Sequence, residues 1–399
     1  MIALLSTAIA ATVTVCFTAE IDLDDVDLGT EDYFTANTDR ELRGIEFQYG
    51  VVGGGFSAAA FADNNGCATL NVLLNTAYSF KVRTIASVNG RDIEVRQAFT
   101  NQPWQGTVTR SFAVPGVTYT LLMNQGAPNR GWNVLAVSSF ALHRETGGIA
   151  GYDVNFYLTN GSGQLPSAPC GGQSCVVGTS IYLLDDEANR KFAITYAMGR
   201  SFLNHLGLAS TDVDSSLTNT WCGPTTQALA LHSLEHDSAA AVAAYAWFYS
   251  ATVFNEPDVE CGLVNRIATD WDMKDSICYD GVESPADHPL SCATGPKLAQ
   301  ANNQRAYCEQ RHEGNDPAAS TTVPLDWLRF LWALQSSGLE DFNLITGYYS
   351  AAINDTDWAP TGGGVIKAFV DAGLLTDVPN PTLASQPNQV LAIHHGVMP

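Results

Sequence analysis

His232-Ser-Leu-Glu-His236 places two imidazoles and a carboxylate within five residues, the order H-x-x-E-H, which supplies zinc-ligand and general-base side chains together. On a continuous helix, residues four apart share a face, so His232 and His236 would both reach one ion. Glu235 would then stand beside that ion as the base, and Glu309 or Glu313 could provide a third ligand from further along the chain. Set against this, Ser233 has the chemistry of a helix N-cap. A helix capped there leaves His232 outside, and the two histidines become ordinary structural or surface side chains. A second group of donors is the acidic run Asp22, Asp24, Asp25, Asp27, Glu31 and Asp32, whose hard oxygens suit calcium but miss the EF-hand order, so the plainer expectation is a solvated acidic loop. No serine, cysteine or threonine sits in a recognisable nucleophile context.

These residues need elements to position them. Up to residue 145 the chain consists of short alternating runs, such as Thr107 to Val114 and Val117 to Met123, broken by Gly, Asn and Pro, which predicts an all-β region. The alternation Val13, Val15, Phe17, Ala19, Ile21 predicts a half-buried strand, and strand character is expected again over Leu135 to Leu158. Beyond Ile181 the texture becomes helical, over Asp186 to Leu206, Ser238 to Phe254, Leu325 to Leu334 and Gly364 to Ala372. In the first of these helices Asp185, Asp186 and Glu187 suit the positive end of the dipole, and Gly207 marks the stop. Alanine and glycine in the first two of these helices would let their backbones approach closely. Trp327, Phe330, Leu331 and Leu334 form a core stripe. Gly53-Gly54-Gly55 and Gly362-Gly363-Gly364 read as turns, and His394-His395 is too short for a metal tract. The expected organisation is therefore α+β, with residues 1–145 forming a sandwich-like β domain and residues 146–399 a helix-rich α+β domain with disulfide-bearing loops.

Charge and cysteine usage bound the setting. With 41 acidic against 19 basic residues, net charge -22, the chain would repel phosphate backbones and anionic lipid, so neither a nucleic-acid nor a membrane-surface role is expected. No apolar stretch reaches the about 18 residues that a membrane span requires. Nine cysteines without a paired C-x-x-C knuckle favour disulfides and export to a secreted, cell-surface or periplasmic location. Cys170 and Cys175 are expected to pair locally, and the odd count leaves one thiol free or intermolecular. Ile2 to Ala11 is apolar but has no preceding Lys or Arg, and is read as folded protein rather than a leader. Val15 before Cys16 is not the small residue a lipid-anchor site uses.

The segment Lys191-Phe-Ala-Ile-Thr-Tyr-Ala-Met-Gly-Arg200, followed by Ser233-Leu-Glu-His-Asp-Ser-Ala-Ala-Ala-Val-Ala-Ala-Tyr-Ala-Trp-Phe248, resembles secreted bacterial zincin-like metallopeptidases. In those proteins the two blocks run K-F-x-I-x-H-E-x-G-H and S-x-E-[WY]-x-S-A-A-x-x-E-G-[FW]-A-x-F. Pro324-Leu-Asp-Trp-Leu-Arg-Phe330 is similar to a later helix of the same family, and the likeness covers residues 135 to 335 or so. The resemblance implies that the family's zinc-binding histidines fall at Tyr196 and Arg200, its general-base glutamate at Ala197 and its downstream carboxylate ligand at Ala243. All four have changed. Alanine has no lone pair and arginine stays protonated, so no zinc is held there, no bound water is brought near a neutral pKa, and no carboxylate takes its proton. The expectation is a catalytically inactive homologue without a cofactor, binding a protein, peptide or surface polymer, with the Arg200 guanidinium either meeting a carboxylate or carbonyl where the metal would be or pointing to solvent. The alternatives are a working zinc peptidase built on His232, Glu235, His236 and Glu309, and a structural subunit of an extracellular assembly.

Overall fold

A computed structural model describes residues 9–21, 23, 38–123, 130–144, 151–159, 165–185, 187–213, 235–254, 321–322, 324–360, 364–376, 385–394 and 397–398. Strand β1 (Ala10–Ile21) keeps the alternation of its sequence: Val13, Val15, Phe17, Ala19 and Ile21 are buried between more exposed neighbours. The other strands of the first half are β2 (Thr38–Glu41), β3 (Ile45–Val51), β4 (Ala60–Phe61), β5 (Cys67–Leu73), β6 (Ala77–Val88), β7 (Arg91–Gln97), β8 (Gln105–Ser111) and β9 (Thr118–Leu122). They are followed by β10 (Val154–Leu158), β11 (Cys175–Val177) and β12 (Ser180–Leu183). One sheet is centred on β1, which pairs antiparallel with β2 and β5 and parallel with β9. The second runs β11-β12-β10-β7-β6-β3-β4, with β8 also on β6. Phe17 of the first sheet meets Phe47 and Phe80 of the second at ring separations of 4.9 and 6.1 Å, so the two sheets bury a shared aromatic layer.

Helix α1 (Arg130–Arg144) occupies the first part of the span read as strand, and only β10 fulfils that expectation. Gly131 through Leu142 are buried, so the segment shows no amphipathic rhythm, and a short apolar run without a polar face does not distinguish a helix from a buried strand. Its start is held by an Arg130–Asp185 ion pair, and Thr159 donates to the same Asp185 carboxylate. Its end is held by Asn89 and Arg91, which both donate to the Leu142 carbonyl. The guanidinium groups of Arg43 and Arg144 lie 6.0 and 5.8 Å from the Phe140 ring.

Beside them, burial first and then the charges of Arg43 and Arg144 hold the His143 pKa below its ordinary 6.5. The folded chain therefore binds fewer protons at this site than the unfolded chain between that depressed value and 6.5. The contribution is present above pH 6.5 or so and is lost as pH falls through the folded value. An NMR titration is expected to place His143 below 6.5, and Arg144→Gln to raise it.

The described chain forms two units, the first running through Ile194 and the second starting at Thr195. The composition shift at 145/146 falls inside the first unit, because β10 pairs in parallel with both β7 and β12 and so extends the sheet already begun. A change of texture marks where helices begin to dominate, whereas the sheet ends where pairing ends. Among the described residues two disulfides are formed, the expected local Cys170–Cys175 and the cross-strand Cys16–Cys67. Cys222, Cys261, Cys278, Cys292 and Cys308 lie outside the described residues.

Helix α2 (Lys191–His205) crosses the limit between the units, and the second unit continues with α3 (Asp237–Val253), α4 (Pro324–Ser336), α5 (Phe342–Ile353), α6 (Gly364–Asp371) and α7 (Pro387–His394). With three sheets and seven α-helices among the described residues the class is α+β, as expected. Helices α5 and α7 were not foreseen. Asp341 caps α5 by accepting from the Leu344 amide at 2.8 Å. In α3 the alanines 239, 240, 241, 243, 244 and 246 are fully buried, and the Tyr245 ring packs tilted against Tyr349 with centroids 4.6 Å apart. Tyr245 and Thr346 share a hydrogen bond of 2.8 Å, and the Tyr349 hydroxyl donates to the Ala241 carbonyl at 3.0 Å, so both buried phenols are satisfied. Trp327, Phe330, Leu331 and Leu334 of α4 are buried as their stripe predicted. No helix among the described residues is long and apolar enough to cross a membrane.

Candidate functional site

The four positions singled out by the zincin likeness lie on one helix pair within the second unit. Helix α2 starts at Lys191, later than the acidic residues that were expected to open it; Glu187–Asn189 form a separate 3-10 turn and Asp185 serves Arg130 instead. Phe192, Ile194, Met198, Phe202 and Leu203 are buried, and the helix ends in a turn at Gly207. A β-carbon placed on Gly199 would lie 2.8 Å from the Cα of Ala246 and 3.0 Å from the Cβ of Tyr249, so α2 and α3 touch backbone to backbone at that level. One turn earlier on α2, Thr195 Oγ1 and Ser250 Oγ share a buried hydrogen bond of 2.5 Å. The order 195 with 250 and 199 with 246 makes the pair antiparallel. The close approach anticipated from glycine and alanine is thus the feature that sets this crossing.

Beside the crossing, Tyr196 and Trp247 face each other with ring centroids 4.7 Å apart. Arg200 follows Tyr196 by one turn and Ala243 precedes Trp247 by one turn, so helix periodicity puts Tyr196 and Arg200 on one stripe of α2, and Ala243 and Trp247 on one stripe of α3. Ala197 and Ala243 are buried, while Tyr196 and Arg200 are half-buried. Sequence reasoning did not anticipate Trp247; its spacing of four from Ala243 was the available signal. The Nη1 of Arg200 is buried and has no hydrogen-bond partner among the described residues, so the carboxylate or carbonyl expected to meet it is not found there.

Zinc does not fit this donor set. Two methyl groups and a guanidinium offer no lone pair to a cation, and a single phenol cannot supply the three protein ligands of a catalytic zinc. The chemistry available is that of an aromatic pair beside a fixed positive charge, which suits hydrogen bonding to an acceptor and stacking rather than hydrolysis.

Of the H-x-x-E-H segment, Glu235 and His236 lie within the described residues, and neither is helical. Glu235 and His236 form strand β13 (Glu235–His236), paired antiparallel with β14 (Thr321–Thr322). His236 is the N-cap of α3 and Asp237 occupies the first turn, so the helix opens later than a cap at Ser233 would place it. Strand pairing with 321–322 holds residues 235–236 extended, and Asp237 at the positive end of the dipole completes the start. His232, Ser233, Glu309 and Glu313 lie outside the described residues, as do Asp22, Asp24, Asp25, Asp27, Glu31 and Asp32.

Among the described residues one carboxylate group, Asp355, Asp357 and Asp371, brings its oxygens within 4.8 Å of one another. Lys367 ion-pairs with Asp357 and lies 3.5 Å from Asp371, so an ammonium already sits among these acids. The hydrogen bond that Lys367 donates to the Asp357 carboxylate raises the Lys367 pKa and keeps that charge in place.

No family model, curated protein or solved structure matches this chain.

Proposed function

We propose that this chain is a pseudopeptidase: an exported protein with a sandwich-like β domain and a zincin-type helical scaffold that acts by binding a protein, peptide or surface polymer instead of cleaving one. The observation that carries this reading is the antiparallel crossing of the two helices that hold these positions, α2 with Tyr196, Ala197 and Arg200 and α3 with Ala243, which brings Tyr196 against Trp247 while none of the four side chains is able to act as a zinc-ligand set with a base. The tight crossing at Gly199 supports it, since a backbone contact so close fixes the spacing of the two stripes whatever side chains they carry. Arg200, with its buried Nη1 lacking an acceptor among the described residues, is the group left to meet a ligand carboxylate or carbonyl. Two disulfides fit an oxidising compartment.

Metal analysis and a casein digestion assay on the purified chain test the loss of hydrolysis. Zinc well below one ion per chain and no chelator-sensitive cleavage are expected. About one zinc per chain with such cleavage would instead assign activity to His232, Glu235, His236 and Glu309. The scaffold itself is tested by restoring the donors. Tyr196→His, Arg200→His and Ala243→Glu together are expected to create a stoichiometric zinc site, and a folded triple variant that binds no zinc would remove the zincin reading.

A further inference from the structure

Among the described residues of the first unit, one end is apolar and carries no carboxylate. Strand β1 begins there, β3, β5 and β8 finish there, and β6 and β9 begin there, as the pairings Ala10↔Leu73, Val51↔Tyr78 and Ala77↔Ser111 require. The turns are stitched across the end by backbone hydrogen bonds: Leu74 N to Ile9 O at 2.9 Å, Asn75 N to Phe112 O at 2.7 Å, Val52 N to Ala77 O at 3.0 Å, and Gly116 N to Thr12 O at 2.9 Å. Their tips expose large apolar side chains, with Ile9 at 64%, Val52 at 52%, Val114 at 51% and Phe56 at 47%, joined by Val51, Leu73 and Val117. Scattered single apolar residues are ordinary on a surface. Seven gathered on adjoining turns are not.

The charge pattern is as selective as the apolar one. Residues 9–13, 49–60, 71–79 and 109–119, which build this end, contain one charged side chain, Arg110, and no carboxylate, in a chain of net charge -22. The opposite end of the same strands carries Glu41, Arg43, Asp63, Arg91 and Asp92. Behind the tips, Tyr78 accepts from the Leu73 amide at 2.8 Å, and Tyr119 bonds the Val114 amide and carbonyl at 3.1 and 3.2 Å. The Arg110 guanidinium lies 5.7 Å from the Tyr119 ring. Apolar tips backed by tyrosine and a lone arginine follow the gradient of a lipid interface, from acyl chain to headgroup phosphate.

We propose that this end of the first unit docks on the interfacial region of a zwitterionic phospholipid bilayer, with Val51, Val52, Phe56, Val114 and Val117 entering the acyl boundary and Arg110 meeting lipid phosphate. A second copy of the chain is a poorer occupant. The exposed apolar area is on the order of 500 Å², a functional size for a patch. The same end of a second copy carries no carboxylate and would leave Arg110 facing no anion, whereas a zwitterionic surface has no net charge and presents phosphate to it. Anionic lipid is disfavoured by the net charge of -22. The overall charge does not forbid contact with neutral lipid, since screening limits its reach to about 8 Å at physiological ionic strength and the end itself carries no acid. This site is independent of the α2–α3 reading.

Flotation of the full chain with phosphatidylcholine vesicles tests it. The wild-type chain is expected to float with the vesicles at high and low salt alike. The double variant V52D/V117D, both positions being exposed, is expected to keep its thermal midpoint and lose about tenfold in partitioning. Val52→Trp is expected to strengthen it. Wild-type flotation no greater than that of V52D/V117D would overturn the proposal, as would binding confined to phosphatidylserine-containing vesicles and released by salt. So would a lipid-free dimer that the two aspartates abolish while vesicle binding is absent, which would make this end a protein interface.

Discussion

Gly199→Val is expected to destabilise the second unit by about 3 kcal/mol, the upper range for overpacking a filled crossing. The new β-carbon would meet the Ala246 Cα at 2.8 Å and the Ala246 carbonyl oxygen at 3.1 Å, and neither is the end of a flexible side chain that could turn aside. Helix α2 would have to withdraw from α3, and the Thr195–Ser250 hydrogen bond and the Tyr196–Trp247 contact would lengthen with it. The control is Gly347 in α5, exposed and with nothing within 4 Å of a built β-carbon. Gly347→Ala should gain up to about 1 kcal/mol from helix propensity alone. The same change at Gly199 should lower stability in spite of that gain. Urea midpoints of the three variants decide the matter, and a stabilised Gly199→Ala would show that the helices do not approach as described. Because the spacing of Tyr196, Arg200, Ala243 and Trp247 depends on this crossing, such a result would also weaken the functional reading.

Removing the Cys16–Cys67 bridge is expected to cost about 4 kcal/mol, from the chain entropy returned to an unfolded loop of that size. The two cysteines are 51 residues apart and stand directly opposite each other on β1 and β5. Both must be replaced, Cys16→Ala with Cys67→Ala, so that no thiol is left to exchange. The Cys170–Cys175 bridge closes only 5 residues, and its removal should cost about 2 kcal/mol. Denaturant midpoints of the two double variants should therefore rank the β1–β5 bridge as the larger contributor. Equal losses would refute a chain-entropy origin.

Local chemistry carried much of the architecture. The strand from Val13, the core stripe at Trp327, and the helices near Lys191, Ser238, Pro324 and Gly364 were legible because each repeats its apolar residues at the period of its own backbone. Helix α1 was not, since a segment buried from Gly131 through Leu142 has no polar face to reveal its period. Helix α3 is just as buried, yet its alanines announce a helix by propensity.

The site divides in the same way. The sequence by itself determined which side chains are available: that positions 196, 197, 200 and 243 hold no zinc-ligand set follows from residue type, and no fold can give alanine a lone pair. Only tertiary structure decided which residues meet. It set Trp247 against Tyr196, left Arg200 Nη1 without an acceptor among the described residues, drew Glu235 and His236 out of the helix by pairing them with Thr321–Thr322, and gathered seven apolar residues from separate turns at one end of the first unit. The physical reason is distance along the chain. Periodicity and propensity act over a few residues, whereas strand pairing and helix crossing bring together groups many tens of residues apart, and their geometry is set by the packing of the whole unit.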